Sequence, residues 1–342
     1  MSYKQMTGNI ISATKVEPDG AITNSAASGV WNLQDAYDYT RGNNWPNVAN
    51  APGRGVIAGG DTGSVINTME FITIASAGNA VDFGDLTAAS GYMGNGQAAS
   101  STRGVFSGGF TNQGINVIQY ITIANTGNAT DFGDLSSALY SGGSCSSATR
   151  ALFMGGFASS ALDVIEYVTI ANTGNVTDFG NLTRGNYYNC GLSSPTRGIN
   201  TGNQNNGEEI DYITIANTGN ATDFGNLTTP TALTAPCSTN IRGVFAGGTI
   251  NSNKAEIQYI TIATTGNSAD FGDLFVEDGY SGGTGVSNTT RGVFAGGLIG
   301  PRINTMHTII IATTGDSVDF GDLSTANYAP VGTSDAHGGI AA

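Results

Sequence analysis

One sequence block recurs six times along this chain and constrains the fold more than any other feature. The block reads Arg-Gly-Val-Phe-Ala-Gly-Gly in its most regular copies, and the spacing between successive copies is 45 to 49 residues. A second block, Tyr-Ile-Thr-Ile-Ala-x-Thr-Gly-Asn-x-x-Asp-Phe-Gly-Asp-Leu, follows each copy. The copies start at Arg54, Arg103, Arg150, Arg197, Arg242 and Arg291. Self-similarity at a fixed period is the signature of a repeat architecture, so six equivalent units are expected.

Each repeat reads as four short strands, which we name a to d in chain order. In the unit 227–274 they are 232–239, 243–246, 257–263 and 269–274. Short β-branched and aromatic runs separated by glycine and asparagine are hairpin signals, and the repeats carry no convincing helical period. Four strands in about 40 to 50 residues are typical of a propeller blade rather than of a helical solenoid.

The ends of the chain decide between a closed ring and an open array. Strand a of each repeat is rich in Gly, Ser, Thr, Ala and Asn, which suits the crowded axis of a propeller. Repeat 1 lacks a clear strand a, whereas the chain after Leu323 has room for one more. We therefore predict an all-β, six-bladed propeller over residues 51–342, closed by a C-terminal strand in blade 1. An open stack of the same units is the alternative.

The repeat motifs resemble kelch repeats, which also have a Gly-Gly pair ending strand b, an aromatic strand c and an aromatic-x-x-Leu strand d. Phe83, Phe132 and their equivalents stand where kelch repeats usually carry Trp, so the resemblance is to a divergent subtype. The amino-acid sequence of the two blocks also resembles repeat domains in structural and tail-associated proteins of tailed bacteriophages. The stretch from Ser28 to Pro46 is similar to segments that precede such domains. These resemblances imply a kelch-like propeller carried on a virion.

Residues 1–50 lack the repeat and contain both tryptophans. Fifty residues with so little apolar content are unsuited to folding alone. We expect a short docking or oligomerisation arm that binds another virion protein, with Trp31, Tyr37 and Trp45 as contact residues. The alternative is an arm that packs against its own propeller.

Charge and composition exclude several classes of function. With 12 Lys+Arg against 26 Asp+Glu, the net charge is −14, which makes nucleic acid an unsuitable partner. The apolar runs are too short for a membrane span, and the N-terminus lacks the apolar region of a signal peptide. Three cysteines without CxxC spacing indicate neither a disulfide framework nor a zinc site.

The recurring Asp-Phe-Gly-Asp motif is interpreted as a structural turn. A catalytic site needs one asymmetric constellation, whereas this motif occurs six times with small variations, and the other parts of a kinase site are missing. A calcium site would need more oxygen ligands than four residues supply. Because the arginines before strand b and the aspartates beginning strand d fall at the same end of each blade, a ring of Arg–Asp pairs is a further hypothesis.

Enzymatic chemistry is not expected, and no cofactor or metal is predicted. His307 occupies the strand c position that Gln119 and Gln258 hold in two other repeats, which indicates an outward structural residue, and no Ser/His/Asp arrangement is visible. Cys145 and Cys237 lie in strand a and are interpreted as small packing residues. Near the axis only Asp278 and Asp335 offer carboxylates for a hydrolase.

Binding is the more plausible activity, and the repeats indicate where it occurs. The a–b and c–d turns are nearly identical between copies, whereas the b–c and d–a loops, on the opposite face, vary. Tyrosines follow the closing Leu of several repeats and are predicted partner contacts for a glycan or a protein. They are Tyr92, Tyr140, Tyr187, Tyr188, Tyr280 and Tyr328. The alternative is that these rings fill gaps between blades.

Three functions follow from this sequence. The first is a non-enzymatic structural protein of a tailed-phage virion, in the tail, in a fibre or decorating the particle. A homo-oligomer would be in keeping with the symmetry of fibres. The second is an adhesin at the tail tip that binds a host-surface glycan or protein. The third, a propeller hydrolase acting on polysaccharide, is the least supported, because the strands near the axis carry so few carboxylates.

Overall fold

The computed structural model describes residues 53–204, 207–275 and 279–340, which form a six-bladed β-propeller. Strand a is innermost and strand d outermost in each blade, and all pairings within the blades are antiparallel. The inner strands of successive blades contact one another around the axis. The predicted six-bladed propeller is therefore confirmed. The predicted arm, with Trp31, Tyr37 and Trp45, lies outside the described residues.

The strands recur at equivalent positions in the blades. Strand a is Val331–Ser334 in blade 1 and, in blades 3 to 6, Gly143–Ser146, Cys190–Ser193, Ala235–Ser238 and Thr284–Ser287. Strand b, from blade 1 to blade 6, is Arg54–Ala58, Arg103–Ser107, Arg150–Met154, Arg197–Thr201, Arg242–Ala246 and Arg291–Ala295. Strand c is Thr68–Thr73, Ile115–Thr122, Leu162–Thr169, Glu209–Thr214, Glu256–Thr261 and Thr305–Ile310. Strand d is Val81–Asp85, Thr130–Leu139, Thr177–Asn186, Thr222–Asn226, Ala269–Asp273 and Val318–Asp322. The b–c loop of blade 5 adds a small hairpin, Thr249–Ile250 with Ser252–Asn253.

The ring is closed by pairing between the two ends of the described chain. Val331–Ser334 pairs antiparallel with Arg54–Ala58, so that Val331 lies opposite Ala58. This strand covers the inner edge of blade 1, which an open array would leave unpaired. Closure by the C-terminal strand is confirmed, and the open stack is excluded.

Blade 2 differs from the predicted four-stranded pattern, because it has three strands and an irregular inner segment. The Gly94 N–H donates to the Ser107 carbonyl oxygen of strand b at 3.0 Å, residues 95–97 then leave the blade, and pairing resumes where the Val105 N–H donates to the Ala98 carbonyl oxygen at 2.8 Å. Gly96 has φ +133°, and a Cβ there would lie 2.0 Å from the Ser144 carbonyl oxygen. Only glycine permits this close crossing of the axis.

The core is divided among the interfaces between neighbouring blades. Between blades 2 and 3, for example, Val105 and Phe132 pack against Phe153 and Val168. Alternation along strands b and c places apolar side chains on both faces of each blade, so each sheet is buried on both sides. The described part of the chain contains no helix long and apolar enough to cross a membrane.

Candidate binding site

Strand direction gives the propeller two different faces. The a–b and c–d turns lie on one face, which we call the turn face, because successive antiparallel strands reverse direction there. The b–c and d–a loops lie on the other, which we call the loop face. The turns repeat closely in sequence and the loops do not, so a specific binding site is expected on the loop face.

Six equivalent residues encircle the axis on the loop face in a closed ring of backbone hydrogen bonds. The N–H of each donates to the carbonyl oxygen of its equivalent in the preceding blade, with N···O distances of 2.7 to 3.1 Å. They are Tyr92, Ser141, Tyr188, Leu233, Gly282 and Ala329. Their φ angles lie between +52° and +63°, although five are not glycine. Left-handed backbone at such residues persists only where the surrounding structure imposes it, so the ring fixes the backbone from which these side chains project.

Half-buried aromatic side chains form a continuous arc on the loop face. We call it the aromatic arc, and in order it consists of Tyr328, Tyr92, Phe110, Tyr140, Phe157, Tyr187 and Tyr188. Neighbouring ring centroids are 5.0 to 6.4 Å apart in edge-to-face or tilted arrangements. These geometries are attractive, so each ring holds the next in place.

The arc contains five of the six predicted tyrosines. Tyr280 differs, because its side chain is 0% exposed and packs against His307 with a centroid distance of 6.3 Å. Gly283 and Gly297 leave the space that the Tyr280 ring fills. The expectation of a surface contact is therefore wrong for Tyr280, which fills a gap inside the propeller.

Sequence reasoning missed Phe110 and Phe157, which link the tyrosines into one arc. Each directly follows the Gly-Gly pair at the end of strand b and bridges to the preceding d–a loop. In blade 1 the residue after the pair is Asp61, and in blade 6 it is Leu298. An aromatic at this position in only two adjacent repeats was the signal available in the sequence.

A chamber of about 20 Å³, room for one water-sized group, lies at the axis beside the aromatic arc and is partly open to solvent. Tyr92 and Tyr188 of the arc line it, together with Asn95 and Asn189. Burial raises the pKa of both tyrosines above the ordinary value, so both phenols are neutral at physiological pH.

The opposite end of the axis is closed by polar side chains. A serine ends strand a in five blades, and its Oγ donates to a carbonyl oxygen of the preceding blade at 2.7 to 2.9 Å. In blade 2 the equivalent residue is Ala99, which has no hydroxyl group, so the ring of serine hydrogen bonds is interrupted there. Gln97 reaches blades 6 and 1, where its Nε2 donates to the Ser287 Oγ and its Oε1 lies 2.6 Å from the Ser334 Oγ. His337 also packs here, with its Nε2 3.2 Å from the Ser146 Oγ.

The hypothesis of an Arg–Asp ring on the turn face is wrong. The Arg150 guanidinium lies 4.2 Å from the ring centroid of Tyr167 and donates to the Ile215 carbonyl oxygen of the next blade at 2.7 Å. All six repeat arginines donate to the equivalent carbonyl of the next blade, and five stack on an aromatic ring. Within the described residues none forms an ion pair with an Asp-Phe-Gly aspartate.

The Asp-Phe-Gly-Asp motif joins neighbouring blades, as its structural interpretation predicts. The Gly174 N–H in the c–d turn of blade 3 donates to the Phe132 carbonyl oxygen of blade 2 at 2.7 Å. The Asn175 Oδ1 of the same turn accepts the Asp134 N–H at 3.0 Å. Equivalent contacts recur around the ring, so the motif and the Thr-Gly-Asn turn form one inter-blade clamp.

The other candidate reactive residues are also packed into the fold. Cys145 and Cys237 are fully buried in strand a, where burial raises the pKa of each thiol, to about 12 for Cys145. His307 is 1% exposed rather than outward-facing, and burial lowers its pKa. The Asp335 carboxylate accepts the Arg54 N–H at 2.8 Å. Asp278 lies outside the described residues.

Comparisons with known proteins add no family. The chain matches no protein-family model, and a search of curated proteins finds no similar sequence. Among the described residues, no group of three or more His, Cys, Asp or Glu side chains is arranged to hold a metal ion. The fold and the site therefore define a six-bladed β-propeller with a rigid aromatic arc on its loop face.

Proposed function

We propose that this chain is a non-enzymatic binding protein that holds its partner on the aromatic arc. The observation that carries the proposal is the arc itself, seven interlocked and half-buried rings on the face whose loops vary between repeats. Tyrosine and phenylalanine present large rigid contact areas at little cost in conformational entropy. A surface of this kind suits a host-surface glycan or protein.

We further propose that the repeats are a divergent kelch subtype. In five blades the Gly-Gly pair ending strand b has a first φ of +60° to +65° and a second of +106° to +115°. This conformation requires glycine, which explains why the pair recurs in a kelch-like pattern. Blade 4, with Gly202 followed by Asn203, is the exception.

The biological setting that we propose is the particle of a tailed phage. The main support is that the repeat sequences resemble those of phage structural proteins. The chain is also strongly acidic and consists mostly of repeats. Residues 1–50 would attach the propeller to other virion proteins. Placement at the tail tip is favoured over a purely decorative role by the aromatic arc, which gives the displayed domain a surface for host attachment.

Binding on the aromatic arc is tested with purified, fluorescently labelled full-length chain and washed host cells. We expect the double variant Tyr140→Ala, Phe157→Ala to bind cells at least about tenfold more weakly than the unmodified chain. The matched control is Ile241→Ser, because Ile241 is 64% exposed on the turn face and should not contribute. Equal binding by the double variant and the unmodified chain would contradict the proposal.

The virion setting is tested by electron microscopy of purified particles labelled with antibody fragments against the propeller. Label at the tail or its tip is the expected result. Label over the head would replace host attachment by a decorating role. Unlabelled particles would remove the virion proposal while leaving the cell-binding result to stand or fall independently.

A further inference from the structure

The axial chamber contains buried polar atoms that have no hydrogen-bond partner. They are the Asn95 Oδ1, the Ser141 Oγ and the Asn189 Oδ1, and all three residues line the chamber. Asn189 is 1% exposed and Ser141 is 5% exposed. Buried polar atoms have a hydrogen-bond partner in the great majority of cases. Three unpartnered polar atoms around one chamber therefore indicate that the chamber accepts a hydrogen-bonding group.

The orientations of the two amides are determined by their nitrogen atoms. The Asn95 Nδ2 donates to the Thr234 carbonyl oxygen at 2.8 Å, and the Asn189 Nδ2 donates to the Met154 carbonyl oxygen at 3.0 Å. Carbonyl oxygens only accept, so turning either amide over would place two acceptors against each other. The two Oδ1 atoms therefore remain acceptors, and the group that satisfies them must donate.

The shape and charge of the chamber restrict the donor further. Its lining residues are all uncharged at neutral pH, and its volume of about 20 Å³ admits only a water-sized group. Tyr92 and Tyr188, which are half-buried, are among the residues that line it. Nearby, Arg302 and Asp61 form an ion pair at 3.0 Å, so their opposite charges neutralise each other and attract neither an anion nor a cation. A hydroxyl group carried on a flat, apolar ring face matches these features, whereas an anion does not.

We propose that the chamber is a subsite for one neutral hexose residue of a surface glycan. One sugar hydroxyl enters the chamber and donates its single hydrogen to one of the two unpartnered amide oxygens, and the sugar ring packs on Tyr92 and Tyr188. The Ser141 Oγ exchanges a hydrogen bond with the same or an adjacent hydroxyl. The inference rests on the proposed function, since it names the ligand class of the same face.

Ligand-observed NMR on the full-length chain tests the subsite with defined probes. The probes are the methyl pyranosides of glucose, galactose, mannose and N-acetylglucosamine, with N-acetylneuraminic acid as an anionic comparison. We expect saturable binding of at least one neutral probe, with a Kd of about 1 mM, and none of the anionic sugar. Failure of all four neutral probes to bind would overturn the subsite.

Two variants separate a binding role from a structural one. Ser141→Ala removes a hydroxyl that has no partner in the protein, so we expect unchanged or higher thermal stability together with about threefold to tenfold weaker sugar binding. Tyr188→Ala should weaken sugar binding at least about tenfold, and Ala329 shows that alanine adopts this backbone conformation in the same ring. The matched control is Ile241→Ser, because Ile241 is 64% exposed on the turn face and belongs neither to the aromatic arc nor to the chamber.

Equal sugar affinities for Tyr188→Ala and Ile241→Ser would overturn the assignment to the chamber. Unchanged affinity in Ser141→Ala would also count against it. If no sugar binds while host cells are still bound through the arc, the proposed function stands and the partner is a protein. If neither cells nor sugars are bound, the proposed function fails together with the inference.

Discussion

At the scale of single residues, the repeat arginines show how one side chain can bind two blades without an ion pair. Each guanidinium donates to a backbone carbonyl of the next blade, and in blades 1 to 5 it also lies over an aromatic ring of its own strand c. In blade 6 the ring position is held by Thr308. Exposed ion pairs contribute little, whereas a charged hydrogen bond combined with ring stacking contributes more.

Arg150→Ala should therefore destabilise the propeller by about 2 to 3 kcal/mol, from the lost hydrogen bond and the lost stacking. Arg291→Ala is the matched control, because Arg291 donates to the equivalent carbonyl but has Thr308 in place of a ring. We expect the control to lose about 1 kcal/mol less, which corresponds to roughly 2 °C in melting temperature. Equal melting temperatures for the two variants would show that stacking contributes nothing.

His337 gives the stability a pH dependence whose sign follows from its burial. The side chain is fully buried, which lowers its pKa to about 4 from an unfolded value near 6.5. Between these values the unfolded chain binds a proton that the folded chain does not, so stability falls as the pH falls through this window. The expected loss is about 3 kcal/mol from pH 6.5 to pH 4.

Chemical unfolding of the unmodified chain and of His337→Gln, at several pH values, measures this contribution. The difference in slope isolates His337, because Asp211 and Asp335, whose pKa values burial raises, act in the opposite direction in both proteins. His307→Gln is the matched control, since Gln119 and Gln258 already occupy that position in other blades, and it should retain the His337 dependence. Identical slopes for His337→Gln and the unmodified chain would contradict the assignment.

At the scale of strands and turns, the inter-blade clamp accounts for the recurrence of Asp-Phe-Gly-Asp. The glycine of the motif has φ +140° to +149° in all six blades, and a Cβ there would lie within 2.6 Å of the backbone of the next c–d turn. The strand d backbone thus approaches the neighbouring turn too closely for any side chain. This close approach is what lets one blade hydrogen-bond to the next at its outer edge.

Gly133→Ala should destabilise the propeller by about 2 kcal/mol more than Gly174→Ala. The two glycines touch each other and have similar φ angles, +149° and +157°, so the backbone strain of alanine is comparable in both. A Cβ at Gly133 would lie 2.3 Å from the Gly174 carbonyl oxygen, whereas a Cβ at Gly174 meets nothing within 4 Å. Thermal unfolding compares the variants, and equal losses would show that backbone strain alone explains the glycine.

At the scale of the whole molecule, the ring depends on contacts between residues far apart in the chain. Val331–Ser334 completes blade 1, and the segment at Gln97 reaches blades 6 and 1 through Ser287 and Ser334. A closed ring differs in this respect from an open solenoid, in which each repeat contacts only its neighbours. Removing the closing strand should therefore affect the entire propeller.

Deletion of residues 331–342 should expose the inner edge of blade 1 and cause aggregation or loss of a single cooperative melting transition. Deletion of residues 336–342 is the matched control, because it keeps the closing strand and the Asp335 cap on the Arg54 N–H. We expect the control to stay monodisperse with a lower melting temperature, from loss of the His337 contacts. Size-exclusion chromatography and calorimetry make the comparison, and indistinguishable behaviour would contradict the role of the closing strand.

Much of this propeller could be predicted from the sequence, because the pattern that determines each blade is local and recurs in every repeat. The strand pattern, the number of blades and the C-terminal closure all follow from a motif that recurs six times and from one strand missing at the start. The structural role of Asp-Phe-Gly-Asp and the packing role of Cys145 and Cys237 could be predicted for the same reason. Each conclusion needed only the position of a residue within its repeat.

The tertiary structure alone decided what happens where the repeats meet. The path of residues 95–97 across the axis, the burial of Tyr280 and the carbonyl partners of the arginines involve contacts between blades. Phe110 and Phe157 join the aromatic arc because the ring brings their loops beside the tyrosines of neighbouring loops. A repeat determines its own strands through local alternation and turns, whereas a surface shared by several repeats exists only once the ring has closed.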